Sequence, residues 1–509
     1  MTANRIVPNS AGITEYRIKG MYHSPRQQER RVGVAWGSVL TKYILIGLIA
    51  ASSLLSFYIF EFFGPYTTDE QAMLQKHDRK IDLLPLKNHL VTKEGSTTPI
   101  QKIAPTSFDN PSRKIVLLGP HDRYNFGDLI FTAVVRKLLI SRAHFSPDDI
   151  LFGGMITVNM TKYGGYNILS MKKIQTLSQQ DTVQGPYDVI YLGGEAVGCN
   201  FNCAVSFLPN RMKIEARREK IHDCPYLVPK YLLLPPSKPN DDSFEINNYA
   251  VINSMGGKPC NSCKKSIETA DYIAFRDKDP LFPDSAVMMK ELYHDKISKT
   301  AVEVMKDLFP AGMKTRQKII AVQHRAINNE QEQQEFALAL DEVSRAGNSI
   351  IVFFVAGTAP GHDSFSCYKQ ISKKMKEPSI VYEVENMWKS VALISQAEAV
   401  LSTSLHVRII AFLYMRPRLT WCGHEPKHPQ FIALWDTDES PRCLKRKNET
   451  WSVLQRYYGT NPNITQAATA VAYEKTVAKY VESFDSWSRL VGWRRSTYKA
   501  AKLTRKPHT

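Results

Sequence analysis

A histidine and an arginine stand two residues apart in the segment STSLHVRIIAFL, where a strand-like apolar run gives way to a second apolar run. Burying such polar groups costs free energy unless they are paired or bind a ligand. Histidine exchanges a proton near neutral pH, and arginine binds phosphate or carboxylate through parallel hydrogen bonds. His406 and Arg408 therefore indicate an anion site with an acid–base group. The alternative is a core histidine whose hydrogen bonds are satisfied.

The loop LLGPHDRYNFGDLI places polar residues between another strand pattern and a helix pattern. Asn125 and Asp128 flank Gly127 in this loop, and both residue types also cap helices and form turns. A carboxylate at the mouth of a cleft can instead remove the proton of a sugar hydroxyl. We expect Asp128 to act as such a general base.

Two further loops follow strand patterns. YLGGEAVG contains Gly193 and Gly194 before Glu195, and glycines let a backbone approach a ligand closely. AFRDKDP places Arg276 directly after a strand, where a guanidinium suits phosphate or carboxylate. The alternative for Arg276 is a surface ion pair with Asp277.

A fifth loop, AGTAPGHDSF, holds His362 and Asp363 in a Gly/Pro turn after a strand. The catalytic candidates from all five loops are His406, Asp128 and Arg276. The expected substrate-binding residues are Asn125, Gly127, Gly193, Gly194, Glu195, Ser404, Leu405, Arg408, His362 and Asp363.

Parallel strands are the elements that would bring these loops together. The apolar runs KIVLLG, DDILFGG, YDVIYLGG and DYIAFRD alternate with helix patterns such as SMKKIQTLS. The pattern restarts with QKIIAVQHR, SIIVFFVAG, SIVYEVE and AEAVLSTS, and the helix pattern NEQEQQEFALALDEVSRAG is expected to end with Gly347 as its C-cap. Alternation of this kind predicts parallel α/β sheets, which bind ligands at the carboxyl ends of their strands. With a break at 308–317, it predicts Rossmann-like domains at 113–312 and 313–509.

The N-terminal region has the pattern of a membrane anchor. Residues 43–60, YILIGLIAASSLLSFYIF, carry no charge, and a bilayer-spanning helix needs roughly 17–25 such residues. The preceding 1–42 are rich in Lys and Arg, which favours a cytoplasmic N-terminus. We expect a type II Golgi protein, with the endoplasmic reticulum as the alternative location. Its tail would be 1–42, its anchor 43–63 and its luminal stem 64–112.

Sequons and cysteines agree with a luminal location for the rest of the chain. Asn159, Asn448 and Asn463 begin N-x-[ST] sequons, and all 8 cysteines also follow the anchor pattern. Cys199/Cys203 and Cys260/Cys263 are close pairs, but without partners at zinc-finger spacing they indicate disulfides or thiols rather than a metal.

The charge of the chain narrows the classes of partner. The 509 residues carry a formal net charge of +17, which suits nucleic acid, an anionic membrane or an acidic substrate. No zinc-finger or RNA-binding signature supports nucleic acid. The tail from Ser486 holds 7 Lys/Arg and no acid, which favours a solvated helix end over a membrane contact. No feature demands a metal or a nicotinamide, and the oligomeric state is open.

The five loops, in order from Lys114 to Pro417, resemble the polysaccharide pyruvyl transferase family. The resemblance lies in YNFGDLI, YDVIYLGGEAVG, DYIAFRDKDPLFPDSAV, GHDS and AEAVLSTSLHVRIIAFLYMRP. It implies two Rossmann-like domains in a GT-B arrangement. It also implies transfer of the enolpyruvyl unit of phosphoenolpyruvate to a sugar, such as a galactose-type residue, giving a pyruvate ketal. Many members have Arg-Leu-His where this chain has Ser404, Leu405 and His406, so another cation, among Arg408, Arg325 and Arg123, would hold the phosphate.

Two other functions fit the same sequence. One is a Golgi glycosyltransferase that uses a nucleotide sugar, with DKD (277–279) or DTD (436–438) as a metal-binding D-x-D motif. The other is a luminal glycan-binding protein without catalytic activity, because a fold alone does not fix a function.

Overall fold

A computed structural model describes residues 114–181, 187–234, 248–277, 281–310, 318–422, 427–437, 443–444, 446–456 and 462–504. Side chains at 462–465 and 490–504 lie outside this description. The predicted tail, anchor and stem also lie outside it. Among the described residues, no helix is both long and apolar enough to cross a membrane.

The first sheet has seven strands in the order β3-β4-β2-β1-β5-β6-β7. Its pairs are parallel apart from the antiparallel pair of β3 with β4. The strands are β1 (Ile115–Leu118), β2 (Ile150–Gly154), β3 (Val158–Asn159), β4 (Asn167–Ser170), β5 (Asp188–Tyr191), β6 (Ala250–Met255) and β7 (Tyr272–Phe275). We call this sheet with its helices, residues 114–310, the N-lobe.

The second sheet has five parallel strands in the order β10-β9-β8-β11-β12. They are β8 (Lys318–Gln323), β9 (Ser349–Phe353), β10 (Ser379–Val381), β11 (Ala399–Ser402) and β12 (Arg418–Thr420). We call the sheet with its surrounding helices, residues 318–437, the C-lobe. The parallel strands follow the order 3-2-1-4-5-6 in the first sheet and 3-2-1-4-5 in the second, as in the Rossmann fold. This confirms the predicted α/β class with two Rossmann-like domains.

Helices cover both sheets. Those of the N-lobe are α1 (Phe126–Ser141), α2 (Met171–Gln180), α3 (Phe201–Ser206), α4 (Asn210–Arg218), α5 (Lys264–Glu268) and α6 (Met289–Leu308). Those of the C-lobe are α7 (Glu330–Gly347), α8 (Phe365–Lys374), α9 (Met387–Gln396), α10 (Leu405–Leu413) and α11 (Lys427–Trp435). The chain ends with α12 (Thr450–Leu454) and α13 (Pro462–Thr504).

The end of α7 differs from the prediction. The helix continues through Gly347, and Asn348 takes the left-handed position that ends it, with φ at +46°. Asparagine tolerates this conformation better than most residues with a side chain, so it can replace glycine there.

The helix α13 extends the second predicted domain back to the first sheet. Tyr480 on α13 is fully buried and exchanges hydrogen bonds with Asn253 of β6, and Ser483 contacts Tyr272 of β7. The predicted boundary at 312/313 lies outside the described residues. The same helix also contacts the C-lobe, since Thr469 bonds to Arg418 and Thr476 to the carbonyl of Trp435.

Backbone hydrogen bonds join the lobes directly. The amide of Phe126 donates to the carbonyl of Ala356 at 2.8 Å, and the amide of Thr358 donates to the carbonyl of Tyr124 at 3.2 Å. The loop before α1 is therefore held against the loop after β9. This places the two predicted polar loops in one interface.

Candidate active site between the lobes

The strand order fixes where the polar loops meet. In a Rossmann sheet, the chain leaves the first strand and the fourth on opposite sides, which opens a crevice at their carboxyl ends. In the N-lobe these are the ends of β1 and β5, followed by the loop to α1 and by Gly193–Glu195. In the C-lobe they are the ends of β8 and β11, followed by Thr403 and α10.

His406 lies at the start of α10 and packs onto the start of α1. It is 8% exposed. A Cβ placed on Gly127 would lie only 2.0 Å from its Nδ1, so only glycine at 127 admits the ring in this position. Phe131 of α1 meets the imidazole edge-on, with ring centroids 5.1 Å apart.

The other edge of the imidazole faces an ion pair of the N-lobe. Arg276 Nη1 donates to Asp284 Oδ2 at 2.8 Å, and both side chains are buried. His406 Nε2 lies 3.5 Å from Arg276 Nη1 and 3.4 Å from Asp284 Oδ2. An unprotonated Nε2 accepts from Arg276, whereas a protonated Nε2 donates to Asp284. Both states needed for acid–base work therefore have a partner.

The pKa of Asp284 reflects these neighbours. Burial alone would raise it, but the hydrogen bond from His406 and the charges of His406 and Arg276 lower it to about 2. Asp284 therefore stays ionised at neutral pH. An ionised carboxylate at this position keeps Arg276 in place.

Asp128 is the second carboxyl of the site, and its pKa shifts in the opposite direction to that of Asp284. It is 6% exposed, and burial raises its pKa, although Arg123 and His406 partly oppose this. A Cβ on Gly194 would lie 3.6 Å from both Asp128 Oδ1 and Arg276 Nη2. The backbone of the glycine loop therefore passes between the carboxylate and the guanidinium. A carboxylate with a raised pKa is a better base than an ordinary one.

A network of buried polar side chains lies next to Asp128. Arg123 donates to the hydroxyl of Tyr226 at 2.6 Å and lies 3.4 Å from Asp122. The Nδ1 of His121 lies 3.1 Å from the carbonyl of Asp128 and must donate to it. Burial lowers the pKa of His121 to about 3, so its ring is neutral at physiological pH.

A small pocket lies beside the His406 cluster. The N-lobe lines it with Arg276, Asp277 and Asp284, and the C-lobe lines it with Leu405, Lys427, Gln430, Phe431 and Trp435. Three buried polar atoms of its lining residues have no hydrogen-bond partner among the described residues: Arg276 Nε, Asp277 Oδ1 and Trp435 Nε1. Buried polar groups are nearly always satisfied, so these atoms indicate a polar ligand.

Lys427 is a cation of the pocket that no sequence pattern indicated. Its Nζ lies 3.4 Å from Glu195 Oε2, so a predicted residue of the glycine loop holds it across the cleft. Lys427 begins α11, and no strand pattern precedes it. Asp284 was also missed as a site residue, although the quoted segment LFPDSAV contains it.

The structure brings together most of the predicted site residues. Close contacts connect Gly127 to His406, His406 to Arg276, and Gly194 to both Arg276 and Asp128. Of the predicted residues, Arg276 and Leu405 line the pocket. Asn125 caps α1, with its side chain accepting from the amide of Gly127 at 3.2 Å. Gly193 adopts φ +128°, a conformation that favours glycine. Ser404 is the N-cap residue of α10, without a side-chain capping bond.

Arg408 takes part in a different interaction. It is fully buried and donates through Nε and Nη2 to Asp436 Oδ2 at 3.1 and 2.8 Å. Arg418 binds the same carboxylate. Arg408 could bind a substrate phosphate only by giving up this ion pair. The same contacts engage Asp436, the first residue of DTD, so it is not poised to bind a metal. Asp438 lies outside the described residues.

His362 and Asp363 contribute to the lobe interface. Asp363 Oδ1 accepts from Gln323 at 2.7 Å and Oδ2 accepts from the amide of Ala356 at 2.6 Å. The ring of His362 faces Phe207 of the N-lobe, with centroids 5.9 Å apart. Asp363 therefore holds the loop that bonds to the start of α1.

Two of the three sequons have exposed asparagines. Asn159 and Asn448 are exposed, and the side chain of Asn463 lies outside the described residues. Glycosylation at the three sites stays a prediction.

The chain matches no family model and no curated protein sequence. Among solved structures, it is similar to a UDP-GlcNAc 2-epimerase from Neisseria meningitidis bound to UDP-GlcNAc, with 10% identity over 74% of this chain and 100% of that chain and a TM-score of 0.46. A glycosyl transferase family 9 protein from Veillonella parvula shows 12% identity over 74% and 99%, with a TM-score of 0.34. Phytolacca americana UGT2, complexed with UDP-2fluoro-glucose and pterostilbene, shows 12% identity over 78% and 100%, with a TM-score of 0.30. No conclusion about the chemistry of this chain follows from these similarities.

Proposed function

We propose that the protein is a transferase that moves the enolpyruvyl unit of phosphoenolpyruvate onto a sugar residue of a glycan. The observation that carries the proposal is the interlobe pocket, with Arg276 on one wall and Lys427 on the other. Phosphoenolpyruvate has a phosphate and a carboxylate close together. Two cations on facing walls suit such a ligand when it shares or replaces their partners Asp284 and Glu195. Lys427 then supplies the positive charge that an arginine supplies in many polysaccharide pyruvyl transferases, at the position where this chain has Ser404.

The side chains around the pocket suit each step of this transfer. The oxygen of a sugar hydroxyl bonds to C2 of phosphoenolpyruvate while a proton reaches C3, which becomes a methyl group. We assign removal of the hydroxyl proton to Asp128 and delivery of the proton to C3 to His406. A second hydroxyl then bonds to C2 as the C2–O bond to phosphate breaks, and its proton leaves with the phosphate, so a ketal and inorganic phosphate are released. Arg276 stabilises the charge on the leaving phosphate.

Phosphate release tests the proposal. The purified full chain is incubated with phosphoenolpyruvate and a galactoside, and phosphate and an acid-labile ketal are measured. Lys427→Ala should raise the KM for phosphoenolpyruvate by about 10- to 100-fold, because a hydrogen bond to a charged group contributes roughly 1.5–3 kcal/mol. Lys389→Ala is the matched control, since Lys389 pairs with Asp307 at the surface. The absence of phosphate release with every acceptor tried would reject the proposal.

A glycosyltransferase is the second candidate, and one observation favours it. The crevice between the ends of β8 and β11 is a topological switch point, where Rossmann sheets bind nucleotides. Hydrolysis or transfer from a UDP- or GDP-sugar, with no reaction of phosphoenolpyruvate, would favour this candidate. No reaction with either donor would favour a glycan-binding protein.

A further inference from the structure

Three cysteine sulfurs meet in the N-lobe. The Sγ atoms of Cys224, Cys260 and Cys263 all lie within 4.8 Å of one another. The geometry allows Cys263 to form a disulfide with either Cys224 or Cys260. A sulfur takes part in one disulfide at a time, so the cluster holds one disulfide and one thiol.

The third thiol is well placed to react. Cys224 and Cys263 are fully buried, whereas Cys260 is partly exposed. The sulfur of Cys260 lies 3.3 Å from the hydroxyl of Ser262, which can donate a hydrogen bond to a thiolate. A thiolate beside a disulfide sulfur exchanges with it through direct attack.

A metal does not explain the cluster as well. A structural zinc site has four ligands. Among the described residues, the cluster offers only three histidine, cysteine or carboxylate ligands.

The two possible disulfides cross-link different segments near the candidate active site. Cys224 lies two residues before Tyr226, which accepts the hydrogen bond of Arg123. Cys260 and Cys263 follow the glycine turn at Gly256, whose amide donates to the carbonyl of Gly194 at 2.7 Å. The Cys224–Cys263 bond ties the Tyr226 segment to the turn behind the glycine loop, whereas a Cys260–Cys263 bond leaves the Tyr226 segment without that tie.

We propose that Cys224, Cys260 and Cys263 form a thiol–disulfide exchange site in which Cys260 is the reactive thiol. The Cys260 thiolate attacks Sγ of Cys263, the Cys260–Cys263 bond forms, and Cys224 leaves as a thiolate that takes up a proton. No net oxidation occurs, and one proton is released and one is taken up. A small disulfide such as oxidised glutathione reacts at the same thiol: its S–S bond breaks, one glutathione forms a mixed disulfide with Cys260, and the other leaves as a thiolate. This inference does not depend on the proposed transferase activity.

Disulfide mapping tests the exchange site. The native full chain is incubated with a glutathione buffer and alkylated with iodoacetamide, and its linkages are identified by mass spectrometry. Two populations are expected: Cys224–Cys263 with Cys260 alkylated, and Cys260–Cys263 with Cys224 alkylated. Their ratio should be the same whichever buffer composition starts the equilibration.

Variants separate exchange from a fixed linkage. Cys260→Ser should leave only Cys224–Cys263, and Cys224→Ser should leave only Cys260–Cys263. Cys367→Ser is the control, since Cys367 is a buried free cysteine outside the cluster, and it should keep both populations. A single linkage under all conditions, a disulfide from Cys260 to Cys199 or Cys203, or one zinc ion per chain would each overturn the proposal.

Discussion

The contact between Gly127 and His406 can be tested by replacing the glycine with alanine. The added Cβ would lie 2.0 Å from Nδ1, 2.4 Å from Cγ and 2.7 Å from Cε1 of His406. The imidazole cannot turn away freely, because Phe131 and the pair Arg276–Asp284 surround it. Either the ring or the α1 backbone has to move.

The size of the effect follows from two opposing contributions. Adding a methyl group to a packed contact costs about 1–3 kcal/mol, whereas alanine is preferred over glycine in a helix by up to about 1 kcal/mol. Gly127→Ala should therefore lower the free energy of unfolding by roughly 1–2 kcal/mol. In a His406→Ala background the clash is absent, so the same substitution should be neutral or stabilise by up to about 1 kcal/mol.

A double-mutant cycle in urea, followed by circular dichroism, measures this coupling. Gly347→Ala at the end of α7 is the control, because a Cβ there lies 3.1 Å from the hydroxyl of Ser349 and in ordinary contact with Ile320, at 3.7 Å. Its effect should be equal in both backgrounds. If Gly127→Ala changed the stability of both backgrounds equally, within about 0.5 kcal/mol, the ring would not lie against Gly127. The placement of the general acid would then be refuted.

Three other predictions concern the buried charges. Burial raises the pKa of Asp363 to about 7, above its unfolded value of 3.8. Its contribution to stability is therefore present below pH 3.8 and is lost as the pH rises through 7. Asp363→Asn should remove this loss of stability, roughly 1.4 kcal/mol for each pH unit that separates the folded and unfolded pKa values, and parallel pH dependences of the two proteins would contradict the prediction. The pKa of Asp284 shifts in the opposite direction, to about 2, so its contribution to stability is present above pH 3.8 and is lost as the pH falls toward 2. Asp284→Asn should remove this contribution, which acid unfolding of the variant and the wild type measures. Asp436→Asn should lower the free energy of unfolding in urea by about 3–5 kcal/mol, because it leaves two buried arginines without their carboxylate. The control Asp485→Asn breaks the exposed pair with Arg142 and should lower it by less than about 1 kcal/mol. Equal costs would show that burial does not set the strength of these pairs.

The sequence predicted those strands that have a strong local signal. Apolar runs such as KIVLLG and SIIVFFVAG became β1 and β9, and each of the five polar loops follows a strand as expected. Strands β3, β4, β6 and β12 were not predicted. The strands β3 and β12 have only two and three residues, too short for a periodic pattern, and the apolar run of β6 contains Asn253 and Ser254 and has an irregular register.

Within the candidate site, residue type and position after a strand were enough to select His406, Arg276 and Asp128, because parallel strands place their carboxyl ends at one edge. Residue type and position could not predict which residue each of these side chains would contact. Arg408 and His406 are two residues apart on α10, yet Arg408 binds Asp436 while His406 meets the N-lobe. Lys427 and Asp284 reach the pocket from helix starts that carry no strand signal. The sequence by itself determined which loops carry the chemistry, because that depends on local pattern. Only the tertiary structure decided which charges face one another, because that depends on how two lobes pack across residues far apart in the chain.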